Sequence, residues 1–424
     1  KQAVNTLWLK NCSRHLNVVV LTRKINKDNN GWLFSFLNIL ANNFLPIIRA
    51  LGAFGLYPQD CKYFKEKRKY LKVVFKNYLL ALCALAIISA PTQADETDDI
   101  IHRIMSQRNI PGLQLVVIKD NRIVKSSEYG QADVEANNKV SKTTAFSLYS
   151  MTKAFTGVAI MQLVEQGKLQ LDDQLGTHLA DLPQAWKQLT VQQILSHTSG
   201  LPEIIKGPLT ELVGAGDDDS AWQTVQTLPM QSVPDQRFQY NQTGYVILKK
   251  IVEKYNGNAF ENFLEKGLTS TMPITKANSF KETGHTGAAV AKQYIHNGSG
   301  YQSLEINYSP LLWAAAGMKS TANELAHFLV ALQSGQILSP STKKQMWQAA
   351  TLDSGKTAGF SSLENGYAAG WQVLAREKNS AVSSSGGNAS TMVIYPEKNV
   401  SIIVLTNLLG AQPIEFVDEI AVQF

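Results

Sequence analysis

Segments patterned for β-strand stand at both ends of residues 95–424, and a long helical stretch separates them. At the front, Leu113 to Ile118 and Arg122 to Ser126 flank the turn Lys119-Asp120-Asn121; at the back, Met392 to Tyr395 and Val400 to Leu405 flank Pro396-Glu397-Lys398-Asn399. Apolar and β-branched runs bounded by turn residues read as hairpins. Helical periodicity covers Ala154 to Gln166, Val191 to Leu195, Thr243 to Tyr255 and Ala322 to Gln333, and it returns at Asp98 to Gln107 and Ile414 to Val422. Hairpins enclosing a helical insert predict an α+β fold: an antiparallel sheet covered by the terminal helices, with a separate helical lobe.

The charge of the chain is unevenly placed. Residues 1–76 hold 14 Lys and Arg against 3 Asp and Glu, and the rest holds 26 against 31, so the net +6 divides into +11 and −5. The acidic remainder gives no basis for nucleic-acid binding. A dense basic stretch from Lys62 to Lys76, the apolar run Tyr78 to Ala90 and the small residues around Thr92-Gln93-Ala94 follow the order of a secretory signal peptide. Residues 1–94 are therefore read as a leader, cleaved or kept as a membrane anchor, with residues 1–60 suspected to lie outside the true protein. The domain from 95 to 424 is expected in the periplasm or outside the cell. Cys12, Cys61 and Cys83 all precede the expected cleavage site, so the exported part can form no disulfide and has no thiol nucleophile.

Ser150-Met151-Thr152-Lys153 carries the chemistry. Residues three apart share a helix face, which brings the Lys153 amine within reach of the Ser150 oxygen. A serine alcohol attacks a carbonyl only when a neighbour takes its proton. A second match, Ser341-Thr342-Lys343-Lys344, follows Pro340 and reads as an ordinary helix start. Ser150 differs because the run after it, Ala154 to Leu169, is apolar on nearly every side and predicts a buried helix. An amine at the mouth of such a helix is desolvated, which lowers its pKa.

Four more blocks follow in order: Leu169 to Leu175, Ile194 to Pro202 (ILSHTSGLP), Arg237 to Tyr245 (RFQYNQTGY) and Ala316 to Ala322 (AGMKSTA). Together with the first, they resemble the serine hydrolases related to class C β-lactamases and low-molecular-mass penicillin-binding proteins, over residues 97–424. The resemblance implies a β-lactamase/transpeptidase-like fold, with Ser150 as the acylated nucleophile, Lys153 assisting its deprotonation and Tyr240 as general base and acid. An ammonium near Tyr240 would favour its phenolate. Gln242 falls where the family has Asn, one methylene longer, and is assigned to substrate binding with altered reach.

The third family motif, usually Lys-Thr-Gly or His-x-Gly, is matched by Ser384-Ser385-Gly386 with Gly387 beside it; a gapless count from Pro396 would place it nearer Ala381. Ser384, Ser385, Gly386 and Gly387 are assigned to substrate binding, the strand supplying a backbone N–H to an oxyanion. With no cation there, recognition of a substrate carboxylate weakens, which favours an esterase or amidase over an efficient β-lactamase. Gly284-His285-Thr286-Gly287 and Lys356-Thr357-Ala358-Gly359 imitate the motif and are read as loops. His197 is read as structural. No cofactor or metal is expected, since His285 and His296 lack a ligand cluster. The reading is an exported, monomeric serine hydrolase acting through an acyl-enzyme on an ester, amide or lactam carbonyl of a small molecule or peptide. The alternative is a catalytically silent penicillin-binding-like sensor.

Overall fold

Hydrophobic strands from opposite ends of the chain meet at the centre of one sheet. The computed structural model describes residues 96–207, 210–264 and 289–424; the leader at 1–94, the three cysteines and the segment Gly284 to Gly287 lie outside the described residues. Twelve strands are described: β1 (Gly112–Lys119), β2 (Arg122–Asp133), β3 (Asn138–Lys139), β4 (Phe146–Ser147), β5 (Gln293–His296), β6 (Tyr301–Leu304), β7 (Lys319–Ser320), β8 (Gly366–Tyr367), β9 (Gln372–Leu374), β10 (Ala381–Gly386), β11 (Ser390–Tyr395) and β12 (Val400–Thr406). Eight form an antiparallel sheet in the order β3-β2-β1-β12-β11-β10-β9-β8. β1 pairs with β12 from Leu113 opposite Thr406 to Lys119 opposite Val400. β4 pairs with β7, and β5 with β6.

Both faces of the sheet are covered, which is why β1 and β12 read as nearly continuous apolar runs rather than alternating ones. Leu113, Leu115 and Val117 of β1, with Ile402 and Val404 of β12, pack on one side with Ile101 and Ile104 of the helix Glu96–Arg108 and Val417 and Ile420 of the helix Val417–Ala421. Val116, Ile118, Ile403 and Leu405 point the other way, into a larger core shared with the helix Ala322–Gln333 and the helical lobe. The expected α+β arrangement is the one observed. The C-terminal helical segment is shorter than its pattern, since Pro413–Glu415 forms a 3₁₀ turn first.

The lobe is built on the helix Thr152–Glu165, whose residues from Thr152 to Met161 are all buried. The helix Thr243–Asn256 packs against it and against Val191–Leu195. Gly157 sits where this helix meets the backbone before β9: a Cβ there would lie 2.0 Å from the Ala369 carbonyl oxygen. Gly157→Ala is expected to destabilise the domain by about 1–3 kcal/mol, the usual result of overfilling a packed interior. Urea unfolding measures it; a midpoint within error of wild type would show that the backbone can give way.

Candidate active site

β4 enters a 3₁₀ turn, Tyr149–Met151, which runs directly into the helix Thr152–Glu165. Tyr149 holds φ +49, a left-handed conformation that a bulky residue adopts only when its surroundings force it. Three contacts do so. Its hydroxyl donates to Gln293 Oε1 at 2.7 Å, its carbonyl accepts from Thr152 Oγ1 at 2.7 Å, and the Leu148 N–H donates to the Met318 carbonyl at 2.8 Å. Ser150 is thereby held on a sharp corner. The end of β10 presses on that corner: a Cβ on Gly386 would stand 2.1 Å from the Leu148 carbonyl oxygen and 2.8 Å from the Ser150 nitrogen. Only glycine permits this approach.

Lys153, one turn on, is wholly buried. Its Nζ donates to Gln242 Oε1 at 2.7 Å and to the Ala315 carbonyl at 2.9 Å. It lies 4.6 Å from the Tyr240 ring centroid and 5.0 Å from that of Tyr245. Burial brings its pKa down to about 7, opposed by the nearby Glu203 carboxylate. Helical spacing anticipated an amine aimed at Ser150. The structure aims it instead at Gln242 and Ala315, two acceptors supplied by distant segments.

Tyr240 is carried in by the loop before the helix Thr243–Asn256. Asn241 fixes that loop, its Nδ2 donating to the Leu201 and Pro202 carbonyls at 3.1 Å each and its backbone N–H donating to His197 Nδ1 at 3.2 Å. The His197 ring packs 4.4 Å from that of Tyr240. Burial pushes the His197 pKa well down, so it stays neutral and acts as a backing for Tyr240. The Tyr240 hydroxyl interacts with the Ser150 and Gln242 side chains, which favours the phenolate, but burial outweighs them and its pKa is raised. That reverses the expectation of a phenolate favoured by a neighbouring ammonium. An amine titrating near 7 is only partly charged at neutral pH, and desolvation penalises the phenolate.

Ser150, Tyr240, Ser385, Gly386 and Gly387 line one cavity of about 200 Å³, and Ser150, Gln242, Tyr308 and Gly387 line a second of about 160 Å³. Ser384 stands apart from both. Neighbouring strand residues face opposite ways, so while Ser385 looks into the cavity, Ser384 is buried with its hydroxyl directed at the Met151 carbonyl at 3.4 Å. Its assignment to substrate binding is corrected to packing beneath the nucleophile. The register nearer Ala381 is also ruled out, because Ala381 pairs with Leu374 at the far end of β10. Gln242 supports Lys153 through its side-chain oxygen as well as facing the second cavity.

Two acids went unseen in the sequence. Glu203, directly after the Ser-Gly-Leu-Pro block, accepts from the backbone N–H groups of Ile204 at 2.8 Å and Gln242 at 2.9 Å. Burial raises its pKa against these bonds and against Lys153. Its only sequence signal was an acid abutting a matched block. Glu364, in the loop before β8, lines the 200 Å³ cavity and gave no signal at all. Among the described residues no group of His, Cys, Asp and Glu is placed to hold a metal ion.

Comparison with known proteins agrees with this architecture. Protein flp of Staphylococcus aureus (strain COL) is 25% identical over 320 residues, which cover 74% of this chain and 63% of that protein, so the chain spans less than two thirds of this relative's length. The octameric penicillin-binding protein homologue from Pyrococcus abyssi superposes with a TM-score of 0.66 at 24% identity, over 77% of this chain and 78% of that one. D-amino acid amidase from Ochrobactrum anthropi SV3 superposes with a TM-score of 0.63 at 21% identity, over 76% of this chain and 98% of that one. At these identities the structural likeness establishes the fold. The family model for Beta-lactamase matches residues 97–423, most of the chain, and the protein belongs to that family.

Proposed function

We propose that the protein is an exported serine hydrolase that works through an acyl-enzyme on Ser150. The observation that carries this reading is the meeting of Ser150 and Tyr240 on one cavity wall, with the Lys153 amine 4.6 Å behind the Tyr240 ring. Ser150 Oγ attacks the carbonyl carbon as its proton leaves. The proton passes to the Tyr240 hydroxyl that faces Ser150 as Tyr240 gives up its own, and Lys153, with a pKa of about 7, is the group behind Tyr240 able to hold it near neutrality. Tyr240, whose hydroxyl faces Ser150 and whose pKa is raised, stays protonated at rest and relays the proton toward the leaving group. The backbone N–H groups of Ser150 and Gly387 bear the oxyanion, and such donors contribute about 3–4 kcal/mol each. Water then enters the emptied leaving-group side and releases the acyl group.

The substrate is an ester or an amide rather than a penicillin-like carboxylate, because the β10 segment Ser384-Ser385-Gly386 brings no cation to the cavity. Likeness in fold to a D-amino acid amidase supports an amide among the accepted carbonyls. Intact-mass analysis after treatment with a fluorophosphonate tests the reading. One adduct per chain, absent in Ser150→Ala, is the expected result. No adduct on the wild-type protein would replace it with the silent sensor.

A further inference from the structure

The charge in the cavity has the opposite sign to the one a carboxylate substrate needs. Among the described residues that line the two cavities sharing Ser150, Glu364 is the one acidic or basic side chain, with Lys153 and Glu203 set behind Gln242. Its Oε1 is buried without a hydrogen-bond partner. A carboxylate oxygen held out of water without a partner is costly. Desolvation accordingly raises the Glu364 pKa to about 7. Aromatic faces complete the wall. Phe360, four residues before Glu364, packs 4.9 Å from the Tyr240 ring, and both line the same cavity as the carboxylate. A carboxylate beside aromatic faces is the chemistry that recognises an ammonium, through charge-assisted hydrogen bonds and cation–π attraction.

We infer that Glu364 receives an ammonium group of the substrate, so that the enzyme prefers acyl compounds with a free primary amine close to the scissile carbonyl. The inference rests on the acyl-enzyme reading above and names its substrate class. Ammonium binding would bring to the carboxylate the cation that the cavity-lining residues lack and keep Glu364 ionised, while an N-acyl group would bring no charge and a carboxylate would be repelled. The loop that carries Glu364 is held in place by Gly359, where a Cβ would lie 2.2 Å from the Glu364 carbonyl oxygen. Backbone contact thus fixes the acid independently of its side-chain charge.

The test compares three p-nitrophenyl esters of one amino acid: free amine, N-acetyl and N-succinyl. For the wild-type protein, kcat/KM is expected to be at least about 10-fold higher for the free amine than for the N-acetyl ester, with the N-succinyl ester lowest, as an ion pair to a half-buried carboxylate requires. Glu364→Gln should bring the free-amine to N-acetyl ratio to near 1, and Glu364→Asp, which keeps the charge, should retain part of it. Fluorophosphonate labelling of Ser150 in both variants shows that they fold. A wild-type ratio at or below 1, or a ratio that Glu364→Gln leaves unchanged while labelling persists, overturns this inference alone. Absence of labelling and of hydrolysis in the wild-type protein overturns the acyl-enzyme reading with it.

Discussion

Lys153→Met is expected to lower kcat/KM by about 10³-fold, the scale of a lost general base, and to flatten the pH dependence of stability. Burial holds the folded pKa at about 7 against an ordinary value of 10.5. Above about 7 the amine is neutral and able to take a proton, so wild-type kcat/KM should rise with pH and level off past that point. Between about 7 and 10.5 the unfolded chain keeps a proton that the folded chain has released, so stability rises with pH across that window. The folded protein carries the full penalty of a buried ammonium below it. Methionine has no such penalty, although it leaves Gln242 Oε1 and the Ala315 carbonyl without their donor. The stability of Lys153→Met relative to wild type should therefore be greatest in acid and fall by about 3–4 kcal/mol from pH 7 to pH 10. Denaturant titrations at the two pH values measure it, and parallel profiles would mean that Lys153 titrates as an exposed lysine does.

Gly386→Ala should be the most damaging single methyl group in the site. The added Cβ would fall 2.1 Å from the Leu148 carbonyl oxygen and 2.8 Å from the Ser150 nitrogen, so β10 and the nucleophile corner must separate. An oxyanion donor works only within hydrogen-bond distance of the developing charge, and displacement by an ångström costs about 10²-fold. We expect the rate of fluorophosphonate labelling to fall by about that factor, with a loss of stability of about 1–3 kcal/mol. Gly387→Ala, at the oxyanion donor itself, is the instructive comparison. Its Cβ would meet the Tyr149 ring at 2.7 Å, and its φ of +60 adds strain, but a side chain can yield where a backbone cannot. Its labelling rate should fall less. Equal rates for Gly386→Ala and wild type would show that the end of β10 does not position the Gly387 oxyanion donor.

Two helices were legible to the residue because each carries its own signals. Val191–Leu195 and Ala322–Gln333 have the bounds their periodicity gives, and both begin at capping boxes, Thr190 with Gln193 and Thr321 with Glu324, in which side chains satisfy the first free N–H groups. β10 was harder. A run of serines and glycines has little intrinsic strand preference, and it is a strand because β9 and β11 pair with it on either side. Helical spacing placed Ser150 and Lys153 on one face but could not say where the amine would point, since Gln242 and Ala315 arrive from far along the chain. Glu364 was invisible for the same reason: a loop acid is ordinarily solvated, and only tertiary packing encloses this one. The expectations of a cleaved leader and of export rest on residues 1–94 and remain sequence-based proposals, testable by sequencing the mature N-terminus.

The pairing of β1 with β12 has a consequence for biogenesis. The first long strand among the described residues finds its inner neighbour only after about 280 further residues have been made, and contacts so distant in sequence form slowly. Until then β1 presents an open edge that invites association between nascent molecules. A nonsense mutation or protease nick ahead of Ala381 would leave the serine corner translated but without the strands that complete it, yielding a fragment prone to aggregation and devoid of acyl-transfer chemistry.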